Sequence, residues 1–193
     1  FSEVYDAQSE AGLIGGSAGN SAGGDRQVWA MFYEAVLPIV DGVELNLAAR
    51  YDDYSDFGNN VAPKAGLRWQ ALDNVVVRAS YSEAFRAPAL DQLFAATTYS
   101  ANDGIDKPYC EATDTPCTER QFDTYISANK ELGPETSQYV NFGVAWDIVD
   151  NIGVKVDYFD LNIDDVISQR SITSVMSGID DGTLAPGNTF YVK

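Results

Sequence analysis

The feature that most constrains this chain is a two-residue alternation of apolar and polar side chains, repeated over several long segments. The cleanest is 43–52, VELNLAARYD. Val43, Leu45, Leu47, Ala49 and Tyr51 fall on one side of an extended backbone, and Glu44, Asn46, Ala48, Arg50 and Asp52 on the other, because successive side chains of a strand point to opposite faces. Segment 61–71 repeats the pattern, with Val61, Pro63, Ala65, Leu67 and Trp69 opposed to Ala62, Lys64, Gly66, Arg68 and Gln70. Segment 75–85 sets Val75, Val77, Ala79 and Tyr81 against Val76, Arg78, Ser80 and Ser82, and 137–148 sets Val140, Phe142, Val144, Trp146 and Ile148 against Tyr139, Asn141, Gly143, Ala145 and Asp147. Two further segments, 26–40 and 152–167, are less regular. In the second, Ile152, Val154, Val156 and Tyr158 begin an apolar face, after which Leu161 and Ile163 become the apolar set and Asp160, Asn162 and Asp164 the polar one. A β-bulge, or exit of the strand from an apolar environment, would account for that inversion. The prediction is an all-β, antiparallel up-and-down sheet of about six to seven strands.

The connections orient this sheet. Strands 26–40 and 43–54 meet at Asp41-Gly42, 61–71 and 75–85 at Asp73-Asn74, and 137–148 and 152–167 at Asp150-Asn151, all short hairpin signals. The other connections are 1–25, 86–136 and 169–188, which are long, and the shorter 55–60. Alternate connections of an up-and-down sheet lie at opposite ends, so one end carries tight turns and the other mostly long loops. Transmembrane β-barrels are built this way, with short periplasmic turns and long extracellular loops. A soluble β-sandwich also shows alternation, and it stands as the alternative reading: a ligand- or carbohydrate-binding module. Three features favour the barrel. The strands match the roughly 9–11 residues needed to cross a bilayer at a tilt. Their polar faces carry charges of both signs (Glu44, Arg50, Lys64, Arg68, Arg78, Asp147), as a wet lumen allows. Tyr51, Tyr54, Phe57, Trp69, Tyr81, Phe85 and Tyr158 cluster near strand ends, where girdle residues sit.

Composition excludes several functions. With 12 Lys+Arg against 29 Asp+Glu, the formal net charge is -17, which repels nucleic-acid backbones. No histidine is present, which removes imidazole bases, Ser-His-Asp and Cys-His catalysis and nearly all catalytic zinc sites. We expect no enzyme and no cofactor; a carboxylate-based glycosidase fragment is the weakest reading, since no carboxylate pair stands in a recognisable setting. Cys110 and Cys117 are too few for structural zinc, and read as a disulfide formed in an oxidising compartment. No helix is long and apolar enough to span a bilayer. The opening FSEVYDAQSE lacks the marks of a signal peptide, and the chain starts and stops mid-pattern, as expected of a segment of something longer. The Gly/Ser/Ala stretch ending GLIGGSAGNSAGGD is read as a flexible loop, because it lacks the GK[ST] ending of a phosphate cradle.

Residues 80–94, SYSEAFRAPALDQLF, resemble a hallmark of the TonB-dependent outer-membrane receptors. Upstream, Arg50 to Gly58 follows the R-Y-D-x-Y-S-x-F-G turn of that family, and Pro63 to Trp69 its P-K-x-G-L-R-W strand. Downstream, ELGPETSQYVNFGVAWDI resembles the strand whose entry reads N-P-x-L-x-P-E-x-S, with Lys130 where the pattern has proline, and VKVDYFDLNIDDVI resembles the strand that follows. The resemblance covers about 26–168. It implies a fragment of a 22-stranded barrel in the outer membrane of a Gram-negative bacterium, which would enclose a plug domain and use TonB to import a scarce large solute such as a siderophore, cobalamin or an oligosaccharide. Neither the plug nor the TonB box has a counterpart here. On this reading residues 1–193 are a partial receptor barrel in contact with outer-membrane lipid, and the isolated chain is expected to self-associate through its apolar face and unpaired edges.

Within that frame the 86–136 loop is the main functional candidate, since loops concentrate binding chemistry. Tyr99, Tyr109 and Tyr125 are its candidate ligand contacts, beside the plainer reading of a solvated acidic loop. Arg86 is a candidate for an anionic ligand, but pairing with a nearby carboxylate is favoured. Asp52, Asp53 and Asp56 could offer oxygens to Ca²⁺, yet alternation sends Asp52 and Asp53 to opposite faces, and no metal site is expected. Asp160-x-Asn162-x-Asp164 imitates the start of an EF-hand but has Asp165 and Ser171 where glycine and glutamate are required.

Overall fold

The computed structural model describes residues 2–4, 7–11, 21–184 and 191–192. Most of the Gly/Ser/Ala stretch read as a flexible loop, residues 12–20, lies outside the described residues. The chain divides into two compact units, a sheet unit of residues 26–87 and 134–166 and a loop unit of 1–25, 88–133 and 167–193.

The sheet unit is one antiparallel sheet of six strands. In chain order we label β1 (Val28–Val40), β2 (Val43–Tyr54), β3 (Gly58–Leu72) and β4 (Val75–Arg86). After an excursion the chain returns as β7 (Glu135–Val149) and β8 (Ile152–Asp164). Each strand pairs with the one before it in this series, β7 lying against β4. The first strand starts two residues later than alternation suggests, and the last ends at Asp164 rather than 167. The connection 55–60 is tighter than expected: Ser55 to Phe57 make the turn, and Gly58, at φ +98°, opens β3.

Alternation becomes two continuous faces because the register is in phase. One row across the sheet reads Leu37, Leu45, Leu67, Ala79, Phe142, Tyr158, and the adjoining residues give Pro38, Glu44, Arg68, Arg78, Gly143, Asp157. Each of the three tight turns adjoins a register shift, at Pro38/Val40, Gln70/Leu72 and Ile152/Gly153, the irregularity that fits a turn without two left-handed residues to a twisted ladder. Only Gly42 among these turn residues has a left-handed φ, +78°. The prolines sit where a missing N–H is tolerated: Pro38 on the edge strand β1, and Pro63 where the β3–β4 pairing stops, one residue past Lys64–Ser82.

The inversion in β8 has no bulge behind it. Pairing runs without a break from Gly153–Asp147 to Asp164–Thr136, so Phe159, Leu161 and Ile163 are on the polar face, in line with Asp157, and Asp160, Asn162 and Asp164 continue the apolar one. Of the two explanations offered by the sequence, exit from an apolar environment remains.

The loop unit corrects the reading of 86–136 and 169–188 as plain loops. The first contains helix α1 (Leu90–Phe94), hairpin strands β5 (Thr98–Gly104) and β6 (Arg120–Ile126), and helix α2 (Lys107–Thr113) between them. The second contains helix α3 (Ile172–Asp180), whose Ser171 hydroxyl accepts the Ser174 N–H at 3.3 Å as N-cap. Leu93, Leu132 and Ile167 form its small core, with Phe94 packed against it. Two of the motifs recognised in sequence thus meet: Leu93 of FRAPALDQLF packs with Leu132 of ELGPE, and the Asn129 N–H donates to the Gln92 carbonyl at 2.8 Å. Lys130, which stands where the family pattern has proline, places its ammonium 5.8 Å from the centre of the Phe94 ring.

Candidate ligand-binding loops

The sheet unit ends, on the side away from the three tight turns, in a set of charged pairs. Arg86 lies opposite Glu135 in register, and its guanidinium grips both oxygens of that carboxylate, Nε donating at 2.5 Å. This is the planar, two-bond geometry that arginine makes with carboxylates. The three aspartates weighed as a Ca²⁺ cluster are each taken by a different donor. Asp52 receives both bonds of Arg50, at 2.7 and 2.8 Å, Asp53 accepts the Trp29 indole N–H at 2.9 Å, and Asp56 accepts Arg26 at 2.7 Å. Arg26 also lies over Tyr54 and Phe57, 5.3 and 5.5 Å from their ring centres. Among the described residues no group of three or more acidic or thiol ligands could hold a metal ion.

Lower on the polar face, Arg78 reaches across the intervening strand to Asp157, with contacts of 2.6 to 3.1 Å. The strand between them presents Gly143 at that row, and a Cβ there would lie 2.2 Å from the Asp157 carboxylate and 2.6 Å from Arg78 Nε. Glycine is thus required by the close approach of a charged pair. The sequence shows only its alternation.

In the loop unit, the β5–β6 hairpin brings Tyr99 and Tyr125 directly opposite each other, with ring centres 5.5 Å apart and planes inclined at 57°. The Tyr99 hydroxyl donates to Asp123 at 2.6 Å, and that bond, with the nearby carboxylate charge, raises the phenol above its ordinary value of 10.0. Tyr125 is 61% exposed, so the pair offers an aromatic surface held by a hydrogen bond. Tyr109 does not join them: it stands on α2, with the Arg120 guanidinium 5.4 Å from its ring centre. Of the three tyrosines singled out by sequence, the structure brings two together.

The cysteines form the expected disulfide, Cys110–Cys117. It ties α2 to the chain entering β6 across the left-handed Asp114, φ +52°. In the chain-entropy model, a ring of this size stabilises by about 2.5 kcal/mol.

The hairpin and α3 also bound a cavity of about 600 Å³ that the sequence did not suggest. Gly104 allows the approach of the helix: a Cβ there would sit 2.0 Å from Ile172 Cγ2. Ile172, Val175, Met176 and Ile179 all line the cavity, and their i, i+3, i+4, i+7 spacing was the available signal.

Comparison with known proteins decides the family. The description "TonB dependent receptor-like, beta-barrel" matches residues 2–191. The chain belongs to the TonB-dependent receptor β-barrel family. Among its relatives is the ferric enterobactin receptor of Pseudomonas aeruginosa, 31% identical over 134 residues, which are 66% of this chain and 17% of that protein. Among solved structures, the siderophore receptor PirA from Acinetobacter baumannii aligns with TM-score 0.62 and 20% identity, over 75% of this chain and 19% of its own. A mutant of the Pseudomonas aeruginosa ferric enterobactin receptor PfeA in complex with enterobactin aligns with TM-score 0.61 and 23% identity, over 78% and 19%. The chain therefore spans less than a fifth of the length of these relatives. Membership of a TonB-dependent receptor family replaces the soluble sandwich reading, and the fold agrees: within the sheet unit a single sheet is present, with Met31, Leu67, Phe142, Trp146 and Val156 of its apolar face exposed. The family is one of transport receptors rather than enzymes.

Proposed function

We propose that this chain serves as part of the barrel wall and outer loops of an outer-membrane receptor that imports a ferric siderophore with energy delivered through TonB. The observation that carries the reading is the sheet itself. It is six strands wide, apolar on one face, charged on the other, and open at both edges, as a segment of a lipid-embedded barrel around a wet lumen has to be. The relatives named as ferric enterobactin and siderophore receptors favour a siderophore over cobalamin or an oligosaccharide. In this reading β1, β2, β3, β4, β7 and β8 cross the outer membrane of a Gram-negative cell, the three tight turns face the periplasm, and the stretch 86–136 faces outward. A barrel of 22 strands, a plug domain and TonB complete the machine in the full-length protein. Phe159, Leu161 and Ile163 then turn inward where β8 rises out of the lipid.

Tyr99 and Tyr125 are the proposed solute contacts, since both rings are presented on one face of a hairpin and Asp123 holds the Tyr99 hydroxyl. Tyr109, paired with Arg120, is a secondary candidate. Arg86 is assigned to architecture, because its guanidinium is engaged by Glu135. The test is uptake of radiolabelled iron as ferric enterobactin by cells whose only such receptor is the full-length protein. Saturable uptake that disappears when TonB is deleted is expected, and the double change Tyr99→Ala, Tyr125→Ala should weaken binding about tenfold, as loss of two exposed aromatic contacts does. Absence of uptake for every ferric siderophore, alongside TonB-dependent uptake of cobalamin or an oligosaccharide, would overturn the reading.

A further inference from the structure

We propose that the cavity between the β5–β6 hairpin and helix α3 is a binding site for a small amphipathic monoanion, an apolar body carrying one carboxylate. The proposal concerns a different ligand group from the tyrosine pair: Tyr125 borders the cavity, but strand alternation turns its ring, with that of Tyr99, to the hairpin face away from α3. Gly104 turns its Cβ direction toward Ile172 of α3, so Asn102, in phase with it, and their cross-strand partners face the helix. Asn102 is opposite Phe122, and Ser100 and Thr98 are opposite Thr124 and Ile126. Residues Tyr99, Asp103, Asp123 and Tyr125 belong to the other phase, confirmed by the Tyr99–Tyr125 ring contact and the Tyr99–Asp123 bond. Asp103, Asp123 and Tyr125 also border the cavity, and strand alternation directs their side chains to the face away from α3.

On the helix side the chamber is apolar over most of its wall, with Asn102, Thr124, Gln169 and Ser171 as neutral polar lining and Arg170 as its cation. Phe122, Ile126, Val175, Met176 and Ile179 supply the apolar walls, and Arg170 stands among the lining residues. Arg170 is half-buried and makes no ion pair or hydrogen bond among the described residues. In a chain with 29 acidic residues and 12 basic ones, an arginine without a carboxylate partner among the described residues is a cation suited to an outside anion. A guanidinium offers paired donors that match a carboxylate, and a cavity of about 600 Å³ lies within the range of small-molecule sites. Apolar walls select the body of the ligand, and Arg170 selects its head.

The experiment uses the full chain held in a non-ionic amphipol, titrated calorimetrically with naphthalene-2-carboxylate and with its neutral counterpart naphthalene-2-carboxamide. The carboxylate should bind about tenfold more tightly, the size of effect a charge-assisted hydrogen bond gives. Arg170→Gln should bring the two dissociation constants together, while Arg170→Lys should retain part of the difference. Met176→Trp, which fills the cavity from a half-buried position, should abolish binding of both probes. Circular dichroism of each variant checks that the fold is kept. Equal affinity for the two probes, no binding of either, a charge preference that survives Arg170→Gln, or binding that survives Met176→Trp would each overturn the proposal.

Discussion

In the sheet unit the buried side chains are carboxylates, Asp52 at 1% exposure and Glu135 at 8%, whereas the buried apolar side chains of the described residues, Pro88, Leu93, Cys110, Leu132, Ile167 and Val175, belong to the loop unit. Meanwhile the sheet exposes Trp29, Met31, Leu67, Phe142 and Tyr158 on its apolar face. One chain therefore uses two opposite arrangements. The loop unit folds as a water-soluble domain does, with apolar groups inward. The sheet unit exposes one apolar face and carries the ion pairs Arg50–Asp52, Arg78–Asp157 and Arg86–Glu135 on the other, an arrangement suited to a hydrocarbon solvent on the apolar side. The difference teaches that burial from water, counted for the chain alone, identifies the core of one unit and misses the stabilising surface of the other.

The contrast breaks most sharply under matched truncations. Leu132→Ala in the loop-unit core, where the side chain is 2% exposed, should cost about 2–5 kcal/mol. It should be read as loss of hydrogen-exchange protection in 88–133 with the sheet strands unchanged. Next in size, Leu67→Arg on the apolar face of a central strand should cost about 2–4 kcal/mol when the full-length receptor is refolded into bilayers, while Lys64→Leu on the polar face of the same strand should change little. If Leu67→Arg and Lys64→Leu were equally tolerated in bilayers, the sheet would not be facing lipid.

How much of this was legible before the structure follows from the same contrast. A strand between lipid and a wet lumen must alternate strictly, so β2, β3, β4 and β7 are written into the sequence almost residue by residue, and Asp41-Gly42 marks its turn. The loop unit has no such requirement. Strands β5 and β6 read TYSANDG and RQFDTYI, short and without sustained alternation across the pair, and they are joined through α2 and a disulfide rather than a tight turn, so nothing local announces a hairpin. The opposition of Tyr99 and Tyr125 is a matter of register between segments about twenty residues apart, which one sequence does not encode visibly. Helix α3 was legible in its apolar spacing and Ser171 cap, yet it sits in a stretch whose neighbours read as loop. The pairing of Arg86 was anticipated in kind. Its partner, Glu135, became visible only once β4 and β7 were adjacent.

A smaller effect sharpens the account of the charged face. Gly143→Ala places a Cβ against both Arg78 and Asp157, so it should cost about 1–3 kcal/mol by overpacking, measured by urea unfolding of the receptor from bilayers. An exposed ion pair contributes at most about 1 kcal/mol itself, so the cost is steric in origin. Asp157→Ala, which removes the nearest obstructing oxygen, should then relieve most of the Gly143→Ala penalty in the double variant. Strict additivity of the two changes would show that Gly143 is there for another reason.

The smallest effect belongs to the end of α3, where a carboxylate fixes the turn that closes the loop unit. Asp181 accepts from the Thr183 hydroxyl at 2.6 Å and from its N–H at 2.9 Å. The hydroxyl bond, then the backbone bond, holds the carboxyl below its ordinary value of 3.8. The turn also brings the Leu184 N–H to the Gly178 carbonyl at 2.8 Å and sets the Leu184 side chain over Gly178, where a Cβ would meet Leu184 Cδ1 at 2.7 Å. Because the folded value is lowered, the contribution of this group is fully present above the unfolded value and is lost as pH falls through the folded one. Melting of the loop unit, compared at neutral pH and at about pH 3, should therefore fall slightly more for the native chain than for Asp181→Asn, whose amide does not titrate over this interval. The side chain is solvent-exposed, which keeps the difference small. Identical losses in the two proteins would mean that the turn is held by Gly182, at φ +76°, and the Leu184 contact alone.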